Sequence, residues 1–439
     1  MRIRALRRLA VASALLVAGS LLGTPPALAE DPVPVTVRAK AVFNDPATSP
    51  NAVRDELVAL IRNTEAGGLI RGSVYTFTDG VVSDALAAAH RDRGVRVQVL
   101  FDHEAVADTT LVNGVSKPTG SEYSTLGQRL GRVVRYGESV DADTAGSFVL
   151  ACPEKRGCIG NRALKQADGS VEHAINHNKF VLFSKVGSTP NVVFQSSANL
   201  TANHRAEFFN NAVTVPHTGL YEEYGRYWKD QLTHGTSGAG LADYYRTTDV
   251  GAYKTYFFPR IESDRDTEDD SPVDPRQDPD TDTVVSLLKN VSCPASPVTE
   301  IRVAMYAFTR TPVAERLAAL QAAGCRVHVV VNGDKGNVGS GVRAALTSAG
   351  LTTLRQCTRS AGVSYGVHSK YLLIDGSYLG AARKLVFTGS HNYTYPNLRS
   401  QDETLLKIDQ SEIFEAYRQN FDTTLLGSAS CQGALPTAS

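Results

Sequence analysis

The chain has 439 residues, of which 42% are apolar and 21% charged, with 45 basic residues against 45 acidic ones. That composition excludes a disordered or fibrous chain, and the length asks for two core-forming units or one large bilobal one. A formal charge of zero lacks the basic excess of duplex-binding proteins, so only a local basic site is left for nucleic acid.

Arg2, Arg4, Arg7 and Arg8 precede an apolar run from Leu9 to Leu22, and Ala27-Leu28-Ala29 places small residues where a cleavage site needs them. The pattern predicts a secretory signal peptide over 1–29, too short to span a bilayer. No Cys follows the run, which argues against a lipoprotein anchor. Removing the four arginines leaves 41 basic against 45 acidic residues, a mildly acidic mature chain. No other stretch is apolar enough to cross a membrane, so the expectation is a secreted, extracellular protein. Six cysteines in an exported chain favour disulfides over metal, and no Cys-x-x-Cys or Cys/His cluster exists. Cys152 and Cys158 are expected to close a small loop. Of the three pairings open to the other four, Cys293 with Cys325 and Cys357 with Cys431 is preferred.

The chain repeats itself. Ser73 to Asp102 and Ala304 to Asn332 both read as a strand, a helix with apolar residues at three-to-four spacing, and a strand opened by Gly-x-Arg-Val. Tyr75 and Phe77 match Tyr306 and Phe308. Downstream, Leu220 to Tyr224 parallels Ile413 to Tyr417, and Trp228 parallels Phe421. Matched positions lie 231 residues apart early and 191 apart later, so the first half carries forty extra residues, roughly 104–172. The predicted division is a signal peptide over 1–29, one lobe over 30–249 and a second over 250–439, each an α/β layer with a mixed or mostly parallel sheet. The segment Glu262 to Asp282 holds ten acidic residues and three prolines and reads as a solvated loop, without the spacing of a calcium-binding EF-hand.

Each half then presents the same short motif. His177-Asn178-Lys179 leads a buried strand and is followed by Ser197-Ala198-Asn199; His368-Ser369-Lys370 does the same and is followed by Ser390-His391-Asn392. His and Lys two apart on a strand point to one face. Two such trios meeting across a pseudo-twofold interface suit phosphate chemistry. The lysines supply fixed positive charge, and the amides and hydroxyls supply neutral donors. One imidazole can attack phosphorus while the other protonates the leaving alcohol. No metal or other cofactor is required, because lysines and amides already offset the charge of the transition state.

The doubled pattern His-x-Lys-x4-Asp with Gly/Ser-Ser-x-Asn resembles the phospholipase D superfamily, and most closely its secreted bacterial phospholipases. The second copy fits throughout at His368, Lys370, Asp375, Gly389, Ser390 and Asn392; the first fits at His177, Lys179, Ser197 and Asn199, with Ser184 in place of Asp. The resemblance implies two repeated α/β lobes packed about a pseudo-twofold axis, with mixed sheets flanked by helices. It implies a phosphohistidine on His177, with His368 as acid and then base. Lys179, Lys370, Asn199 and Asn392 hold the phosphate, Ser197 and Ser390 support it, and Asp375 completes the catalytic motif without touching phosphate directly. The implied activity is hydrolysis of phospholipid to phosphatidic acid and a head-group alcohol, with transfer to other alcohols as a variant. The substrate would be met at a membrane or micelle surface, with no obligatory protein partner. Nucleic acid is the substrate only under the alternative nuclease reading, and an inactive binding module is the third.

Other residues read more blandly. His391 fills a variable position, Tyr75 and Tyr306 read as core aromatics, and His173, four residues before His177, does not form a metal pair. Glu403, eleven residues after Asn392, is a candidate to orient a catalytic His; Asn210-Asn211 stands at the matching place in the first half. Asp375 is expected to be buried beyond the phosphate pocket, with Ser184 as its neutral counterpart.

Overall fold

In each half a helix carries the chain from one strand to a parallel neighbour, and the rest of the sheet grows from that unit. Leu69–Val74 and Arg96–Phe101 are joined through helix Gly80–Arg93, which Asp79 caps at its start and left-handed Gly94 closes. Glu300–Met305 and Arg326–Asn332 are joined through helix Thr311–Ala322, with a proline in its first turn. The computed structural model describes residues 35–107, 109–112, 115–165, 169–263, 278–360 and 362–436. The segment read as a signal peptide and most of the acidic segment lie outside these residues. From Val35 onward the chain forms one compact unit.

The first sheet runs Lys40–Asn44, Phe208–Pro216, Thr189–Ser196, Lys179–Val186, Leu69–Val74, Arg96–Phe101, Phe148–Ala151, Val133–Val134. The second runs Arg246–Val250, Tyr253–Phe257, Thr404–Ile408, Ala381–Gly389, Lys370–Tyr378, Glu300–Met305, Arg326–Asn332, Thr353–Cys357. Both are mixed, with parallel strands at one end and antiparallel strands through the motif. The registers match: Lys179 faces Val74 and Lys370 faces Met305. The expected α/β architecture of mixed sheets and flanking helices is therefore present.

Helices Thr218–Thr236 and Ser411–Gln419 lie between the sheets. Their Leu220, Tyr224, Trp228, Ile413, Phe414 and Tyr417 join Phe180, Phe257, Leu373 and Leu406 in one core fed by both halves. The outer sheet faces are covered separately, by Leu57, Ile61 and Leu86 on the first and by Leu288, Leu317 and Leu346 on the second. The disulfides are Cys152–Cys158, Cys293–Cys325 and Cys357–Cys431, the pairing preferred from the sequence. Among the described residues no helix is long and apolar enough to cross a membrane.

The two halves are also sewn together by backbone. Gly366–Val367, just before the second motif, pairs in parallel with Phe208–Phe209 of the first sheet. Asn176, just before the first motif, bridges to Asp402.

Candidate active site

Both motif histidines hang from the opposite half. The His177 amide donates to the Asp402 carbonyl at 3.0 Å, and the His368 amide donates to the Phe209 carbonyl at 2.8 Å. The residue after each acceptor turns its side chain onto the same imidazole. Glu403 Oε1 lies 2.6 Å from His177 Nδ1, and Asn210 Oδ1 lies 2.9 Å from His368 Nδ1. An oxygen at Nδ1 keeps the proton there and leaves the lone pair on Nε2, which at His368 also lies 3.2 Å from the Lys370 ammonium. The lysines begin their strands on the same face, and each ammonium donates to the carbonyl of its own motif histidine. His177, Lys179, His368 and Lys370 are all buried.

The charge balance differs between the two sides. Glu403 is fully buried and takes three donors: His177 Nδ1, the Ser390 hydroxyl and the Asn397 amide. Burial pushes its carboxyl up to about 8, against the pull of Lys179 and of the Ser390 hydrogen bond. Asn210 is neutral and takes the Ser197 hydroxyl at 3.1 Å as well as His368. Burial, reinforced by the lysines, holds both imidazoles well below their ordinary pKa, so they are neutral in the resting site. Burial also lowers Lys179 to about 7 and takes Lys370 well below its ordinary value. A neutral His177 with Nε2 free is in the form a nucleophile needs.

The remaining sequence-predicted residues divide. Asn199 and Asn392 are buried, and Oδ1 of each is left without a hydrogen-bond partner. The Ser197 and Ser390 hydroxyls go to Asn210 and Glu403, the groups that orient the histidines. Asp375 corrects the expectation of a buried carboxylate. It is half-buried, opposite Glu300 and Lys384 in the sheet, and five residues along the strand from Lys370, about 16 Å away. A side chain that keeps access to water needs no compensating partner there. Ser184 accepts the Leu69 amide at 2.8 Å, a tie at the start of the first-half strand equivalent to the one Glu300 opens. His391 is a core residue, stacked on Phe258 with centroids 4.4 Å apart and 3.3 Å from Arg310.

Tyr75 and Tyr306 are site residues, not plain core aromatics. Tyr75 stands edge-on to His177 at 5.4 Å, and Tyr306 lies 4.4 Å from His368 and 5.1 Å from the Lys370 ammonium. Their strands end beside the motif strands, which places both rings at the imidazoles. Two further residues, His204 and Asn397, stand in the site without having been singled out by sequence. Both sit on the short helices after the Ser-x-Asn segments, three residues past a capping threonine, Thr201 or Thr394. The repeated Thr-x-x-His and Thr-x-x-Asn carried the signal. Among the described residues, no group of three or more His, Cys, Asp or Glu is placed to hold a metal.

Residues 295–425 match the family model described as "Cardiolipin synthase, PLD-like domain". No curated protein matches the chain. Among solved structures, phosphatidylserine synthase of Haemophilus influenzae Rd KW20 is similar over 90% of this chain and 87% of its own, with a TM-score of 0.56 at 12% identity. Polyphosphate kinase of Porphyromonas gingivalis is matched over 90% of this chain at 13% identity and a TM-score of 0.48; the chain covers 48% of that protein. Yeast tyrosyl-DNA phosphodiesterase is matched over 85% of this chain and 90% of its own, at 9% identity and a TM-score of 0.40. The synthase shares its fold with both halves of this chain, including the one outside the PLD-like match.

Two outcomes test this description. Ser184→Asp and Asp375→Ser should each leave turnover within about tenfold, a change in barrier of ~1.4 kcal/mol. A rise of several orders of magnitude in Ser184→Asp would mean that the serine has disabled the first motif. Sulfate, measured by calorimetry at constant ionic strength, should bind more weakly as pH rises through about 7. Lys179 loses its charge over that range while Glu403 gains one, and both changes oppose an anion. Affinity that stays flat from about pH 6 to 9 would show that these groups do not charge the site.

Proposed function

We propose that the protein is a secreted phosphodiesterase that works through a phosphohistidine, and that its substrate is a phospholipid. The observation that carries the reaction class is the pair of neutral imidazoles, each fixed at Nδ1 by an oxygen of the other half, beside two buried lysines. Lys179, Lys370, Asn199 and Asn392 receive the diester oxygens. His177 Nε2 attacks phosphorus while His368 gives a proton to the leaving alcohol. His368 then takes a proton from water, or from a second alcohol, as that oxygen attacks phosphorus and His177 departs. Glu403 offsets the positive charge that gathers on His177 while its Nε2 is bonded to phosphorus.

His368 must be protonated for the first step, yet burial and the lysines keep it neutral in the empty site. The negative charge of a bound diester reverses that, so substrate and proton enter together. This makes the site inert until it is filled.

The surroundings favour a lone phosphate over a polyanion. Beside His177, the Tyr75 hydroxyl reaches toward Glu104 at 3.5 Å, and Glu172 is held above the ordinary carboxylate range by burial and by Glu104. On the His368 side Arg359 is already paired with Glu207 and with Asp334 at 3.2 Å. A nucleic-acid strand carries phosphates on both sides of the scissile one and needs cations there. A phospholipid carries one diester and does not. The mildly acidic mature chain agrees with this reading, and the leader sequence and three disulfides support secretion.

The test is a parallel assay of the purified protein on phosphatidylcholine micelles, single-stranded DNA and duplex DNA, all with excess EDTA. Choline release without nicking is the expected result, unaffected by the chelator because lysines and amides hold the phosphate. Nicking without choline release would transfer the site to the nuclease reading. Activity lost in EDTA and restored by a divalent cation would overturn the metal-free mechanism.

A further inference from the structure

The short helices after the two Ser-x-Asn segments each place one polar side chain beside a motif histidine, but the two are used differently. Asn397 donates to Glu403 and lies 3.4 Å from His177 Nδ1. His204 instead turns back onto Asn199. Its Nδ1 takes the Asn199 backbone N–H at 3.4 Å, and its Nε2 lies 3.2 Å from the Asn199 side-chain amide. The ring is wedged edge-on to His368, with centroids 4.2 Å apart, and against Phe208 at 5.5 Å.

Hydrogen-bond arithmetic fixes the orientation of that amide. Burial, with Lys370, Lys179 and Arg359 nearby, drives His204 down to about 3, so the ring is neutral and carries one N–H. Because Nδ1 accepts, the proton is on Nε2, and Nε2 donates. Its partner must therefore be the Asn199 amide oxygen. Oxygen and nitrogen of an amide have the same shape, and the surrounding donors and acceptors decide which is which. The opposite placement sets two donors face to face and leaves Oδ1 buried without a partner. With the oxygen on His204, the NH2 group takes the unpartnered position and waits for an acceptor.

We propose that His204 is a positioning residue that clamps Asn199 at its backbone and side chain, so that the Asn199 NH2 group is presented to the bound phosphate. This rests on Asn199 being a phosphate donor in the proposed mechanism. The second half has no such clamp, because the equivalent Asn397 is taken up by Glu403. The two amides of the pocket are thus set by different means.

Variants His204→Ala, His204→Phe, His204→Gln and Asn199→Ala, and the double variant His204→Phe/Asn199→Ala, test this on bis(4-nitrophenyl) phosphate turnover and on sulfate binding. His204→Phe keeps the packing on His368 and Phe208 but removes both nitrogens, so it reads the clamp even if the alanine variant folds poorly. His204→Phe should raise KM and weaken sulfate by about tenfold, with a smaller change in kcat, the scale of one hydrogen bond to a charged group. His204→Gln, which can still donate to the amide oxygen, should recover most of the loss. In the Asn199→Ala background His204→Phe should add nothing further. A full additional loss in that background, or an unchanged KM and sulfate affinity in His204→Phe, would overturn the clamp while leaving the mechanism standing. An Asn199→Ala variant with unaltered KM and sulfate affinity would remove the phosphate role of Asn199 and the clamp with it.

Discussion

The site depends on a reciprocal clasp between the two halves. Each motif histidine is held at its backbone N–H by a carbonyl of the opposite half and at Nδ1 by the next side chain along the same segment. Asp402-Glu403 does this for His177, and Phe209-Asn210 does it for His368. The two imidazoles cannot be placed by either half alone, because neither half supplies the acceptors for its own motif. The shared core around Trp228, Tyr224 and Tyr417 holds the two sheets at the separation that the clasp requires. Even the disulfide loop at Cys152–Cys158 feeds into it: the amides of Ile159 and Gly160 bind the buried Asp402 carboxylate at 3.0 and 2.6 Å.

The clasp is symmetric in backbone and asymmetric in charge. An ionisable carboxyl, that of Glu403, stands behind His177 and a neutral amide behind His368. In the proposed mechanism that difference assigns the labour. A carboxylate lowers the free energy of an imidazole bearing positive charge, which suits the histidine that bonds to phosphorus. An amide fixes the tautomer without locking in the proton, which suits the histidine that must give a proton and take one back. Ser390 and Ser197 stand behind these two groups in the same way, so the repeat has kept the scaffold and changed side chains within it.

Much of this was legible in the sequence. The repeat, the strand-helix-strand units and the His-x-Lys pairs follow from periodicity, since two residues apart on a strand share a face whatever surrounds them. For the last four cysteines the sequence left three pairings open, and the preferred one is the one that forms. What sequence could not supply was which half each supporting group would serve. Glu403 and Asn210 occupy matched positions, but spacing along the chain says nothing about their crossing to the opposite motif. Asp375 shows the converse. Its place in a motif made it look buried and catalytic, yet five residues of extended chain carry it away from Lys370 to the half-exposed end of the sheet. Tyr75 and Tyr306 read as core because aromatics at strand ends usually are; the neighbouring motif strands turned them into walls of the site.

The division of labour between the histidines can be observed chemically. The protein is mixed with a diester labelled at phosphorus, quenched in alkali to preserve phosphohistidine, and mapped by peptide. Label should be found on the His177 peptide, increase in His368→Asn with a diester of good leaving group, and be absent in His177→Asn. Label on His368 alone, or turnover that survives His177→Asn, would contradict the assignment.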